Sequence, residues 1–161
     1  MRARLLAVVL LLGAAFCGAA AAARAPLVPA FIQALIAKRS PQLAYVPTRI
    51  AAPSFRYAGF KATGSSVSQT LANRAGRTIV FTAIPYEAPC ADGKQKSFQL
   101  AGNKVYWAQL DNTQTAWRCV TGTHGRQVRL AASTTLQPTQ FADVGLGTIV
   151  ASALRIRHVP A

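Results

Sequence analysis

The chain has 161 residues, with 18 Lys and Arg against four Asp and Glu and a formal charge of +14. That length is one domain's worth, enough for a real core, and 52% hydrophobic with 14% charged residues excludes a disordered polyelectrolyte. Four carboxylates, two histidines and three cysteines leave little material for acid/base, metal or thiol chemistry.

The first element is a leader. Arg2 and Arg4 form a positive start, residues 5–12 are strongly apolar, and small residues take over from Gly13. That order is a secretory signal peptide, with an A-x-A site at 21–23. Cleavage is expected near Ala23, leaving a single secreted domain over 24–161. Two alternatives stand beside it. The run 5–23 is just long enough to span a bilayer as an uncleaved anchor, but its alanine- and glycine-rich second half inserts weakly. Lipid attachment at Cys17 needs a small residue before it, and Phe16 is too large. Cleavage removes Arg2 and Arg4, so sixteen basic and four acidic residues remain, a charge near +12. A surface this basic concentrates polyanions: an anionic envelope polymer or acidic lipid head groups. Arginine- and alanine-rich composition also follows from a GC-rich genome. The cations are scattered singly, which argues against a specific nucleic-acid site.

Residues 26–40 predict a helix. Phe31 and Leu35, and Ile32 and Ile36, are four apart, Lys38 and Arg39 suit the last turn, and Pro41 ends it. Beyond it, β-branched and aromatic runs alternate with turn residues. The expected strands are 44–50, 54–61, 66–72 and 77–84. A loop follows over 85–96, and then strands at 97–101, 104–110, 115–121 and 126–132 form a meander. Gly102-Asn103 is a two-residue hairpin signal; 111–114 and 122–125 are the next turns. A C-terminal helix is expected over 138–154, with Gly145 and Gly147 costing it roughly 1 kcal/mol each relative to alanine. The expectation is an α+β domain: an antiparallel meander sheet with an N-terminal and a C-terminal helix packed on one face.

After cleavage only Cys90 and Cys119 remain, and an even pair in an oxidising compartment reads as a disulfide. Closing a loop of about 30 residues stabilises a fold by roughly 3–4 kcal/mol. The competing reading joins Cys119 to His124 as a catalytic or zinc pair, but no zinc-ligand spacing is present and His158 is near the chain end.

Other chemistry is thin. Glu87, Asp92, Asp111 and Asp143 do not form the paired carboxylates of glycoside hydrolysis. The stretch GSSVS at 64–68 lacks the G-x-S-x-G elbow. GLGT at 145–148 lacks the third glycine and the strand–helix setting of a phosphate loop, so no nucleotide cofactor is expected. Pairing across 111–114 and 122–125 sets Trp107 opposite Arg118 and Arg118 opposite Arg129. Tyr106, Ala108, Trp117, Cys119, Val128 and Leu130 then share an apolar core face. Trp107, Arg118 and Arg129 form a row on the other face, open to an anionic or sugar ligand or simply solvated. Phe98 and Leu100 fall on that supposedly wet face, a conflict that a bulge could repair.

The order of elements resembles a loose group of uncharacterised secreted bacterial domains. The motifs are YVPT at 45–48, a tryptophan strand at Trp107 or Trp117, G-x-x-x-x-L from Gly125 to Leu130, and the helix after Pro138. The resemblance spans most of 44–155 and implies the α+β fold; members of the group mostly lack an assigned activity. The resulting expectation is an exported, non-catalytic structural or binding domain of the cell envelope or extracellular space. It has no cofactor or metal, and its oligomeric state is open. The alternative is a small secreted hydrolase using His124 with a serine.

Overall fold

A computed structural model describes residues 26–51, 54–91, 93, 95–135 and 143–156. The expected leader, Asp92, the expected first turn of the C-terminal helix and His158 lie outside the described residues. The elements in order are α1 (Ala30–Arg39), a 3₁₀ turn (Pro41–Leu43), β1 (Tyr45–Val46), β2 (Arg56–Ala62), β3 (Val67–Ala72), β4 (Thr78–Tyr86), β5 (Lys96–Leu100) and β6 (Asn103–Leu110). They continue with β7 (Thr113–Thr121), a second 3₁₀ turn (Thr123–Gly125), β8 (Gln127–Thr134), α2 (Asp143–Ala151) and β9 (Leu154–Arg155). The fold is mixed α+β, mostly one antiparallel sheet with two helices.

The seven-stranded sheet runs β2-β3-β4-β8-β7-β6-β5, and β1 pairs with β9 in a separate ribbon. It is therefore two meanders rather than one. The chain leaves β4, crosses to the far edge at β5, and returns strand by strand until β8 docks on β4. The reason lies in the two central strands. Ile79, Phe81 and Ala83 alternate along β4, and Val128, Leu130 and Ala132 along β8, all buried. The register sets Phe81 opposite Ala132 and Ala83 opposite Leu130, so the two apolar rows fuse into one face. Val67 and Leu71 on one side and Ala116 and Val105 on the other extend it, and Ile32 and Ile36 of α1 and Leu146, Ile149 and Val150 of α2 join the same core.

Three turns differ from expectation. The first hairpin turns at Ala101-Gly102, with φ of 50° and 75°, and pairs Leu100 with Asn103. The second turns at Asp111-Asn112 and pairs Leu110 with Thr113. Each shifts pairing by two residues, which leaves the faces unchanged. The third does not. Thr121 pairs with Gln127, and the Gly122 N–H donates to Arg126 O at 2.7 Å, so five residues, 122–126, form the connection rather than four. His124 and Gly125 take left-handed φ of 60° and 72° to close it. The odd shift turns β8 over. Val128 and Leu130 belong with Trp107 and Arg118, and Arg129 belongs with Trp117 and Cys119. The face bearing Val105, Arg118, Phe98 and Leu100 is the core face, so the conflict over Phe98 and Leu100 disappears without a bulge in β5 or β6.

Helix α2 packs on that face, against β5 to β8. Its glycines were expected only to weaken it, yet Gly147 has a packing function. A Cβ there would lie 2.7 Å from Phe98 Cζ and 2.9 Å from Cε2. Gly147→Ala therefore adds helix propensity but displaces a ring in the core. We expect a net loss of about 1–2 kcal/mol, measured by urea unfolding. The paired change F98A should reduce the additional penalty of G147A to near zero in a double-mutant cycle.

The helix stops at Ala151 rather than 154. Val46 pairs with Leu154 and Tyr45 with Arg155, and the Ile156 N–H donates to Ala44 O at 2.7 Å. Ser152 Oγ accepts from the N–H groups of Thr48 and Arg49 at 3.2 and 2.9 Å. Gln69 Nε2, fully buried on β3, donates to Tyr45 O at 2.7 Å. The YVPT stretch is thus held between the sheet and the C-terminal segment.

Candidate functional site

Strand alternation places Tyr86, Arg129, Cys119, Trp117, Tyr106 and Lys104 on the face of the sheet opposite α2, here called the outer face. Cys119 of β7 is bonded to Cys90 in the loop after β4, with Cα atoms 5.8 Å apart. The expected bridge is present, but on the outer face rather than the core face. It draws the loop over the sheet, and the Trp117 indole Nε1 donates to Cys90 O at 3.0 Å. Trp117 is 4% exposed. Tyr106 stacks on it with ring centroids 5.8 Å apart, and the Arg129 guanidinium lies 4.7 Å from its centroid.

Arg129 also lies 5.5 Å from the Tyr86 ring, so two aromatic side chains flank it. Lys104 Nζ sits 5.4 Å from the Tyr106 centroid. The result is a ladder across four strands: Tyr86, Arg129, Trp117, Tyr106 and Lys104, ring and cation contacts alternating with one ring–ring stack. Arg129 Nε is shielded from solvent and has no hydrogen-bond partner. The hydroxyls of Thr115 and Ser133, on the same face further along, bond each other at 3.0 Å.

The expected row of Trp107, Arg118 and Arg129 is not assembled. Trp107 and Arg118 share the core face, and Arg129 is on the other. Arg118 is occupied by α2: its Nε donates to Val150 O at 3.0 Å, one Nη to Ala153 O at 2.7 Å, and the other to Asn103 Oδ1. Burial pulls its pKa below the ordinary arginine value, against a smaller upward influence from Tyr45. Trp107 packs against the core with its indole N–H unpartnered and Lys96 Nζ 5.4 Å from its ring.

His124 is exposed in its turn, and among the described residues no hydroxyl or carboxylate is hydrogen-bonded to it. Of the serines in 64–68, Ser65 and Ser66 serve a tight turn, where Thr63 Oγ1 accepts from the Ser66 N–H at 3.0 Å, and Ser68 lies in β3. Glu87 and Asp111 are exposed. Among the described residues no three His, Cys, Asp or Glu side chains gather as metal ligands. A cleft of about 280 Å³ lies elsewhere, between Leu27 and Val28, Val46 and Pro47, and Ile156, and is mainly apolar.

Sequence reasoning missed the ladder and the role of Arg118. The alternation of Val128, Leu130 and Ala132 had already set Arg129 on the face opposite them; the missing piece was the register of β8 on β7, which puts Leu130 opposite Arg118 and Arg129 opposite Cys119. No protein-family model, curated protein or solved structure matches the chain.

Proposed function

We propose that this is an exported, non-catalytic binding or structural domain, acting in the cell envelope or outside the cell. In this reading both helices share the core face, and the outer face meets an anionic envelope polymer or lipid head groups. The observation that carries it is the state of the outer-face cations. Lys104 and Arg129 contact aromatic rings, and among the described residues neither forms an ion pair with a carboxylate. Their charge is left for a partner, on a mature chain with sixteen basic and four acidic residues. The signal-peptide pattern and the disulfide support the compartment, and the resemblance to secreted bacterial domains agrees with both. Among the described residues no helix is long and apolar enough to cross a membrane.

The test uses the mature protein and vesicles containing anionic lipid, with an acidic wall polymer in a second arm. Binding should weaken at least tenfold as salt rises from about 0.1 to about 1 M, since the screening length contracts from about 10 Å to about 3 Å. Affinity indifferent to salt, or equal binding to neutral vesicles, overturns the reading.

A further inference from the structure

We propose that Arg129 is the centre of a defined oxyanion site, taking a phosphate or carboxylate group through its guanidinium fork. The proposal deepens the polyanion reading and rests on it for the nature of the partner.

The argument starts from what holds the side chain. Arg129 stands on β8 opposite Cys119 on β7 and Ile84 on β4, in the middle of the sheet. Trp117 at 4.7 Å and Tyr86 at 5.5 Å fix its position. Cation–π attraction engages the charge and leaves the N–H donors unused. Among the described residues no hydrogen bond or ion pair reaches any of its five donors, and Nε is shielded from water as well. A surface arginine ordinarily satisfies its donors with solvent, and a buried one with a carboxylate or carbonyl, as Arg118 does in this same sheet. Arg129 is half-buried between these rings: its Nε is shielded and unpartnered, while its two Nη groups stay open on the outer side of the sheet. The open Nη pair, on a guanidinium held in place by rings and facing no carboxylate, is the edge that an arriving oxyanion meets. Two oxygens on one phosphorus or carbon match the guanidinium fork.

The surroundings fit the same ligand. The β6–β7 pairing sets Tyr106 opposite Trp117, and Lys104 and Cys119 are the next residues along on that face of their strands, so Lys104 and Arg129 lie on the two strands beside Cys119. Two strand spacings, roughly 9–10 Å, separate them, which allows one anionic group at Arg129 and another on the same chain near Lys104.

The experiment follows the arginine Nε–H and tryptophan indole signals of the mature, oxidised protein by ¹H–¹⁵N NMR. The probes are inorganic phosphate in one arm and acetate in the other, with chloride at matched ionic strength as the control. Arg129 Nε–H should shift saturably, with the Trp117 indole following, at concentrations that leave exposed Arg74 and Arg77 unmoved. Earlier saturation by phosphate identifies a phosphoester group, and by acetate a carboxylate. R129K keeps the charge and loses the fork, and should weaken the saturable response at least tenfold. If Arg129 responds no more than Arg74, or responds equally to chloride, the site does not exist. The wild-type titration decides this even if R129K fails to fold. The two readings fail separately. Salt-dependent vesicle binding by the wild type with no saturable response at Arg129 removes the site and leaves the broad basic surface. Saturation of Arg129 by phosphate with no vesicle or polymer binding keeps the site and removes the polymer.

Discussion

Replacing Cys90 and Cys119 together with alanine is expected to lower the unfolding free energy of the mature protein by about 3–4 kcal/mol. The two residues are 29 apart in sequence, and the chain-entropy cost of closing a loop of that size gives this magnitude. Against a typical domain stability of about 5–15 kcal/mol, it is a large share. The effect extends beyond the unfolded chain. The bridge fixes the loop whose Cys90 carbonyl accepts from the Trp117 indole at 3.0 Å, so releasing it uncovers the ring. Urea unfolding followed by tryptophan fluorescence should show a lower midpoint and, before the transition, a red-shifted emission. Reductant should reproduce both changes in the wild type and neither in the double variant. Alkylation of both thiols without reductant, seen by intact mass, would show that the bridge is absent in solution and return Cys119 and His124 to consideration as a pair.

That bridge was legible from the sequence because it depends on counting: the expected leader would take Cys17 with it and leave two cysteines. Helix α1 and strands β2 to β8 were legible for a different reason. Each carries a period of 3.6 or 2 that local chemistry imposes, and tertiary packing then sharpens the ends, as when β4 runs on through Pro85 to Tyr86. Pairing between strands is less local. Docking of β8 on β4 joins segments about 50 residues apart, and nothing in the loop after β4 states that the chain will cross to the far edge.

The site was illegible through one residue of turn length. A tetrapeptide GTHG reads as a four-residue turn, whereas the structure extends the connection to Arg126 and sets His124 in the left-handed region. Since side chains alternate with period two, that single residue moves Arg129 from beside Trp107 to beside Trp117. The two outcomes have different chemistry: a row of tryptophan and two guanidinium groups in one case, and in the other a structural arginine under a helix with a ring-flanked one on the opposite face of the sheet. Nothing in β7 itself arbitrates, because Thr115, Trp117 and Cys119 are more apolar than Gln114, Ala116 and Arg118, yet it is the second set that shares the face of Leu130 and Ala132.

Arg118 is accordingly the second residue whose loss should be severe. Helix α2 ends at Ala151 with its last carbonyls directed into the protein, where Val150 and Ala153 are 0% and 1% exposed. A helix C-terminus leaves carbonyls unsatisfied and carries partial negative charge. Here one guanidinium answers both needs, donating to Val150 O and Ala153 O and tying Asn103 of β6 to the same point. Arg118→Met keeps most of the aliphatic stem and removes every donor. We expect it to cost about 2–4 kcal/mol, the range for stranding buried acceptors of a charged donor. Arg118→Lys restores the charge but not the three-way fork, and should recover about half. The loss should also be local first. Amide exchange in α2 and β9 should accelerate in R118M at denaturant concentrations where β3, β4 and β8 remain protected, because those strands keep their own pairing. Uniform acceleration across all strands would place the residue in the general core instead. Stability within about 0.5 kcal/mol of wild type would mean that the desolvation which lowers the Arg118 pKa cancels what its hydrogen bonds contribute.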